Sequence, residues 1–322
     1  MSISTPGILK AYREILKREP DQEGLEFWNN RKVSFPQLCS HLRSSFEYKR
    51  KFTRDVFCET NKNFLEWPKR QYFYISNHNI LYCPIAKNAC TTLKRLMVKI
   101  SDIASKKEIL TGDVHKLTDS KNSGIQLGDL DLDTVDYIFQ KMKSSNHFSF
   151  AVLREPKSRL LSAYWEKFVL GRMSLNNLYH TKPVLKSVYR KQNLSRSDIQ
   201  SGITFEQFVE YITNSDPYEL DTHWIPQNIY LKEHTFNAFY NIQNLKPLYK
   251  ELSTITATKL IPEHENATNS GCGNYLKNAF QMYPQQLVDY KPISIESFFN
   301  SSLESKVLKY FSKDIHLMEN CD

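Results

Sequence analysis

YCPIAKNACTTLK, residues 82–94, closes one apolar run and opens a second whose period is different. The preceding ILYCPI reads as a short strand. From Thr91 to Ile100, Leu93, Leu96, Met97 and Ile100 recur at helical spacing, which predicts an amphipathic helix. A turn from strand into helix exposes the helix's first N–H groups, and the dipole places about half a positive charge there. An anion suits such a turn. Lys87 is placed to neutralise a phosphate oxygen, and the Thr91 and Thr92 hydroxyls with the amides from Asn88 onward can donate to it. The stretch has no glycine, and its lysine comes before the turn, so it departs from the G-x-x-x-x-G-K-[ST] nucleotide loop. An ATPase or kinase is disfavoured on that ground.

Working outward, QYFYIS and ILYCPI flank NHN and read as two strands around a turn. A helix is predicted from Leu132 to Met142, and HFSFAVL, His147 to Leu153, reads as a buried strand. REPKSRLLSAYWEKFV follows, with Leu160, Leu161, Tyr164, Trp165 and Phe168 at helical spacing, Trp165 on the core face. TFEQFVEYI and SLESKVLKYFSKDIHLM read as helices. Strands joined through helices predict an α/β core, a central parallel sheet flanked by helices. NNLYHTKPVLKSVYRKQNLSRSD and PEHENATNSGCGNY read as loops.

FAVLREP carries the second anion signal. Arg154 ends a strand, and Ser162 lies eight residues on, about two helical turns along the next segment. Both are placed to reach one phosphate.

The chain has 322 residues with 13% aromatics and 40% hydrophobics, which marks a globular protein. Its formal charge of +8 is spread along the chain and attracts anions in general: nucleotides, acidic glycans or nucleic acids. No apolar stretch approaches the roughly 20 residues of a membrane span, and MSISTPGILKAYREILKREP lacks the apolar centre of a signal peptide. The expected compartment is the cytoplasm, with peripheral membrane association left open. Cys39, Cys58, Cys83, Cys90, Cys272 and Cys321 are scattered without a C-x-x-C pair, so reduced thiols are expected, and no metal site. Asn193-Leu194-Ser195 and Asn266-Ala267-Thr268 match a glycosylation pattern that carries no weight without a secretory signal.

Residues Pro6 to about Phe52 show a separate helical pattern: Ile8, Tyr12, Ile15 and Leu16, then Leu25 and Trp28, then Leu38, Leu42 and Phe46. Three short helices are predicted. The stretch resembles a small helical module of unknown function appended to bacterial glycan-modifying enzymes, as YREILKREPDQEGLEFW indicates, which implies a bacterial source. The expected domains are 1–56, this all-helical module, and 57–322, the α/β domain.

CPIAKNACTTLKRLM, FAVLREPKSRLLSAYWEKF, and the pair ITFEQFVEYI and DTHWIPQ occur in that order. Together they resemble the carbohydrate sulfotransferases that use 3'-phosphoadenosine-5'-phosphosulfate (PAPS), in the branch that includes Golgi chondroitin sulfotransferases. The resemblance spans roughly Leu81 to Leu245 and implies a P-loop-like sulfotransferase core. It implies that Lys87, Asn88, Ala89, Cys90, Thr91 and Thr92 surround the 5'-phosphosulfate, and that Arg154 and Ser162 bind the 3'-phosphate. Arg159 is a further ligand or a structural ion pair. Ala89 stands where many relatives carry glycine, which should hold the turn to angles an L-residue tolerates. The usual acidic positions near FNAFYNIQNL are Asn237 and Gln243, so no carboxylate base can be placed there.

The implied reaction moves a sulfuryl group from PAPS to a carbohydrate hydroxyl, leaving 3'-phosphoadenosine-5'-phosphate (PAP). Nucleic acid is not the implied partner, and no metal is needed where lysine, arginine and helix amides supply positive potential. Lys87 would stabilise the leaving oxygen. His115, in TGDVHKL, is the first candidate for general base and His223, in DTHWIPQ, its competitor; Asp113 and Glu155 are carboxylate alternatives. A lipid, small-molecule or tyrosine acceptor, or a non-catalytic binding protein on the same fold, is the alternative reading. The basic residues of NNLYHTKPVLKSVYRKQNLSRSD suit an acidic glycan. Oligomeric state has no signal in the sequence.

Overall fold

The computed structural model describes residues 3–45, 47–49, 52, 71–104, 106–118, 124–130, 132–144, 146–191, 198–232, 234–262, 273–290, 292–319 and 321. Phe46, Cys58, Cys272, both glycosylation sequons, most of KRKFTRDVFCETNKN and of PEHENATNSGCGNY, and the expected boundary at residue 56 lie outside them. The chain forms two compact units. Met1–Asn61, Tyr164–Tyr211 and Ala279–Lys291 make one; Lys62–Ala163, Ile212–Asn278 and Pro292–Asp322 make the other.

The second unit is built on a four-stranded sheet in the order β1 (Phe73–Ile75), β2 (Ile80–Cys83), β3 (Phe148–Leu153), β4 (Ala238–Asn241). β2–β3 and β3–β4 are parallel, with Cys83 opposite Ala151 and Leu153 opposite Asn241. β1 pairs antiparallel to β2 and makes the edge, so the parallel sheet carries one reversed strand. The cause is local, because the turn at residues 76–79 is too short for anything but a hairpin. All four residues of β2 and the last five of β3 are buried, which is why these strands read as continuous apolar runs.

α4 (Cys90–Ile100) buries Leu93, Leu96, Met97, Val98 and Ile100 with Phe73, Ile80, Tyr82, Phe150 and Val152 of the sheet. Leu248, Tyr249 and Leu252 of helix Lys246–Thr256 join the same core. Each such side chain contributes about 1.5–3 kcal/mol by leaving water. The structural result is positional. β2 and β3 are parallel neighbours, so the loops after Cys83 and Leu153 leave the sheet at the same end, where open α/β sheets bind ligands.

The first unit opens with α1 (Thr5–Ile15), α2 (Gln22–Asn29) and α3 (Phe35–Ser44). Asp21 caps α2 by accepting from Gly24 N, and Ser34 with Gln37 forms a capping box on α3. Ile8, Tyr12, Ile15, Leu16, Trp28, Leu38 and Leu42 form its core, with Met173 and Leu175 packed against it. Leu178–Lys191 is a helix of 14 residues, which corrects the loop expected there. Leu178, Thr181, Val184, Leu185, Val188 and Tyr189 are buried at helical spacing, a stripe strong enough to carry Pro183. The helix expected from Arg154 onward is α5 (Pro156–Tyr164), continued by a π-helical turn over Trp165–Leu170. Trp165, at the start of that turn, is half-buried, a correction to its expected core position.

Candidate active site

Between β2 and α4 the chain turns through two left-handed residues, Lys87 (φ 72°) and Ala89 (φ 56°, ψ 27°). Alanine holds the turn in the left-handed region, which an L-residue tolerates at a cost: the turn takes the conformation glycine favours, and Lys87 and Ala89 bear the strain. Ala89 is also the N-cap of α4 and offers no side-chain acceptor, so no cap residue covers the first amides of α4.

The residues of REPKSR hold this loop from the neighbouring strand. Arg154, 9% exposed, donates from Nη1 to Lys87 O at 3.0 Å and from Nε to Ser158 Oγ at 3.0 Å. Burial first, then the charge of Arg159, pushes its guanidinium down to about 10, which leaves it cationic at neutral pH. Ser158 and the buried Ser162 lie one turn apart on the same face of α5. Glu155 spends both oxygens on α5, accepting from Lys157 N at 2.9 Å and Ser158 N at 2.7 Å.

Arg159, 1% exposed, donates to Ala86 O at 3.0 Å, Ile225 O at 2.7 Å and Thr222 O at 3.3 Å. It ties the loop's backbone to the DTHWIPQ segment through carbonyls, where a structural ion pair was one of the two expectations. Asn88 also points inward. It is 1% exposed and donates from Nδ2 to Val152 O at 2.8 Å and to Gln227 Oε1 at 2.5 Å. Its side chain pins the loop to β3, and its backbone N–H donates to Ile85 O at 3.2 Å, so Asn88 shapes the loop from within.

The two histidines differ in their surroundings. His115 Nε2 lies 2.8 Å from Thr91 Oγ1 in the first turn of α4, so the structure brings it to the loop. Burial acts to raise the Cys90 thiol, but the hydrogen bond to His115 and the charges of His115, Lys94 and Lys87 bring it below its ordinary value. Asp113 is spent as a cap, accepting from His115 N at 3.1 Å. His223 lies one residue from Thr222, whose carbonyl Arg159 holds. Its Nδ1 is 2.7 Å from Oδ1 of the buried Asp221. A carboxylate only accepts, so Nδ1 donates to it, and in the neutral ring Nε2 is then the acceptor. Asn237, in place of an acid, pins β4 to β3 by accepting from Ser149 N and Ser149 Oγ, both at 2.8 Å.

Residues 70–309 match the profile of the sulfotransferase family. The chain belongs to the sulfotransferase family. This sulfotransferase is 28% identical over 157 residues to carbohydrate sulfotransferase 14 of Homo sapiens, covering 49% of this chain and 38% of that protein. It is 26% identical over 245 residues to carbohydrate sulfotransferase 11 of Rattus norvegicus, covering 73% and 62%. It is 31% identical over 158 residues to carbohydrate sulfotransferase 8 of Mus musculus, covering 47% and 34%. The matches span roughly a third to three-fifths of those relatives. No solved structure matches.

The residues present fit PAPS, the sulfate donor that the sulfotransferase family implies. Lys87, the uncapped amides of α4, Arg154 and Ser162 form a set of cations and hydrogen-bond donors, suited to a ligand with two anionic ends, and Ser158 orients Arg154 by accepting from its Nε. Three contributors escaped the sequence reading: Ser158, Asp221 and Gln227. Ser158 had a signal, being one helical turn from both Arg154 and Ser162. Asp221, two residues before His223 in DTHWIPQ, had one as well, whereas Gln227 acts across the fold, 139 residues from Asn88, and had none.

Proposed function

We propose that this sulfotransferase transfers a sulfuryl group from PAPS to a hydroxyl of a carbohydrate. The supporting observation is that Lys87 with the α4 N-terminus, and Arg154 with Ser158, stand at the ends of adjacent parallel strands and are hydrogen-bonded to each other. PAPS supplies the sulfuryl group and leaves as PAP. In this reading the Lys87 ammonium and the amides of Ala89, Cys90, Thr91 and Thr92 receive the 5' end and offset charge on the leaving oxygen. Arg154, oriented by Ser158, and Ser162 hold the 3'-phosphate. The printed names of the relatives support a sugar acceptor. The lysine, the arginine and the helix amides supply the positive potential, so the scheme needs no metal.

Of the two histidines, the geometry favours His223 as general base. Asp221 fixes its tautomer and leaves Nε2 to take the proton of the acceptor hydroxyl. His115, bonded to Thr91, orders the first turn of α4. The family match begins at residue 70, which supports reading residues 1–56 as an appended module and 57–322 as the sulfotransferase domain. The cytoplasm is the compartment we infer, where the thiols of Cys39, Cys83, Cys90 and Cys321 would stay reduced. A bacterial source and an acidic glycan acceptor complete the proposal, on the character of the N-terminal module and of the basic segment around Lys182, Lys186 and Arg190.

Incubation with PAPS and a panel of glycan, lipid, phenol and peptide-tyrosine acceptors tests the acceptor class, with product read by mass spectrometry. Sulfonated glycan is the expected product. Preference for a phenol or lipid would overturn the carbohydrate assignment. His223→Ala should lower kcat by about 100-fold or more; a larger loss in His115→Ala would reverse the assignment of the base.

A further inference from the structure

Gln227 opens the short helix α6 (Gln227–Tyr230), and its side chain is fully buried. Its Oε1 accepts from Asn88 Nδ2 at 2.5 Å and from Arg154 N at 3.0 Å. Its Nε2 donates to Arg154 O at 2.8 Å and more weakly to Asp314 Oδ2 at 3.4 Å. A primary amide has two donors and one oxygen with two lone pairs, and all of them are used here. One side chain thereby bonds the residue beside Lys87 and both main-chain polar groups of Arg154.

Asp314 holds Gln227 in turn. It is 1% exposed in α7 (Ser312–Met318) and accepts from Gln227 N at 2.7 Å and Asn228 N at 2.9 Å. The loop after β2, the end of β3 and the C-terminal helix thus meet on a single amide. None of the cofactor-site donors needs Gln227 in order to bind a phosphate by itself. Together with the Arg154 Nη1–Lys87 O bond, Gln227 joins the two ends.

We propose that Gln227, held by Asp314, is a positioning residue that fixes the separation of the Lys87 and Arg154 ends of the cofactor site, so that one nucleotide engages both at once. This rests on the cofactor reading given above. Two anionic groups on one rigid nucleotide bind with a large gain in effective concentration only where both receptors are held in register. If one receptor drifts by an ångström, the second contact is lost, although each end still binds alone.

Calorimetric titration of the full chain with PAP, adenosine 5'-monophosphate and adenosine 3'-monophosphate tests this on wild type, Gln227→Ala and Arg154→Ala. Gln227→Ala should weaken PAP by about tenfold or more, while each monophosphate changes by less than about twofold. In turnover its KM for PAPS should rise while the acceptor KM is unchanged. An equal loss for all three nucleotides, as a merely structural role would give, overturns the proposal, and so does unchanged PAP binding. If Gln227→Ala does not fold, Gln227→Met carries the same comparison: it fills the buried space but makes none of the bonds to Asn88, Arg154 and Asp314. Wild type that binds no PAP overturns the cofactor reading itself. Loss of PAP in Arg154→Ala with Gln227→Ala unaffected overturns the coupling alone.

Discussion

Ala89 takes a left-handed backbone, φ 56° and ψ 27°, at the entry to α4. An L-residue pays about 1–2 kcal/mol for that region. Glycine removes the strain but frees the unfolded chain by about 0.4–1 kcal/mol. Ala89→Gly should therefore raise the free energy of unfolding by about 0.5 kcal/mol. Urea denaturation reads this, and a loss of stability would mean that Ala89 Cβ contributes more packing than strain. At this scale the sequence singled out Lys87, Thr91, Arg154 and Ser162 as candidates, from their places after two strands and from the resemblance to the sulfotransferases. It could not give the angle of Ala89, which depends on where the carbonyls of Ala86 and Lys87 are held. Nor could it show that the Asn88 side chain turns inward, since its acceptor Val152 lies 64 residues away.

Arg154 stands between β3 and α5 and Arg159 one turn into α5, and the two have opposite burdens. Arg159 satisfies the carbonyls of Ala86, Ile225 and Thr222, whereas Arg154 is a buried cation that Arg159 repels. Arg159→Ala should cost about 3 kcal/mol, since charge-assisted bonds to buried carbonyls are lost together. Arg154→Ala should change stability by less than about 1 kcal/mol while removing PAP binding. Thermal unfolding of both variants checks this, and a more stable Arg159→Ala would contradict it. The pair YCPIAKNACTTLK and HFSFAVLREP was legible because period and polarity change at the strand ends. The helix Leu178–Lys191 was not, since Pro183 and the basic residues masked its buried stripe. The reversed edge strand β1 was visible as two runs around NHN, but its effect on the sheet's direction follows only from the hairpin.

Across the whole molecule, the sequence carried the family and the α/β class because three motifs occur in order over one stretch. It did not carry the partition into two units, which draws Tyr164–Tyr211 and Ala279–Lys291 together with the N-terminal helices. Met173 and Leu175 pack on the core of those helices, and Tyr48 Oη donates to Met173 O, contacts spanning more than a hundred residues. Gln227 and Asp314 were hidden for the same reason, being 87 residues apart yet joined through one buried carboxylate. The central claim is that Lys87 and Arg154 serve one PAPS site. The direct measurement is transfer of labelled sulfonate from PAPS to a glycan acceptor by wild type, Lys87→Ala and Arg154→Ala, each first shown to be folded. Transfer by wild type and a loss of at least about 100-fold in each variant is the expected result. Wild-type rates in either variant, or PAP bound without any transfer by wild type, would contradict it.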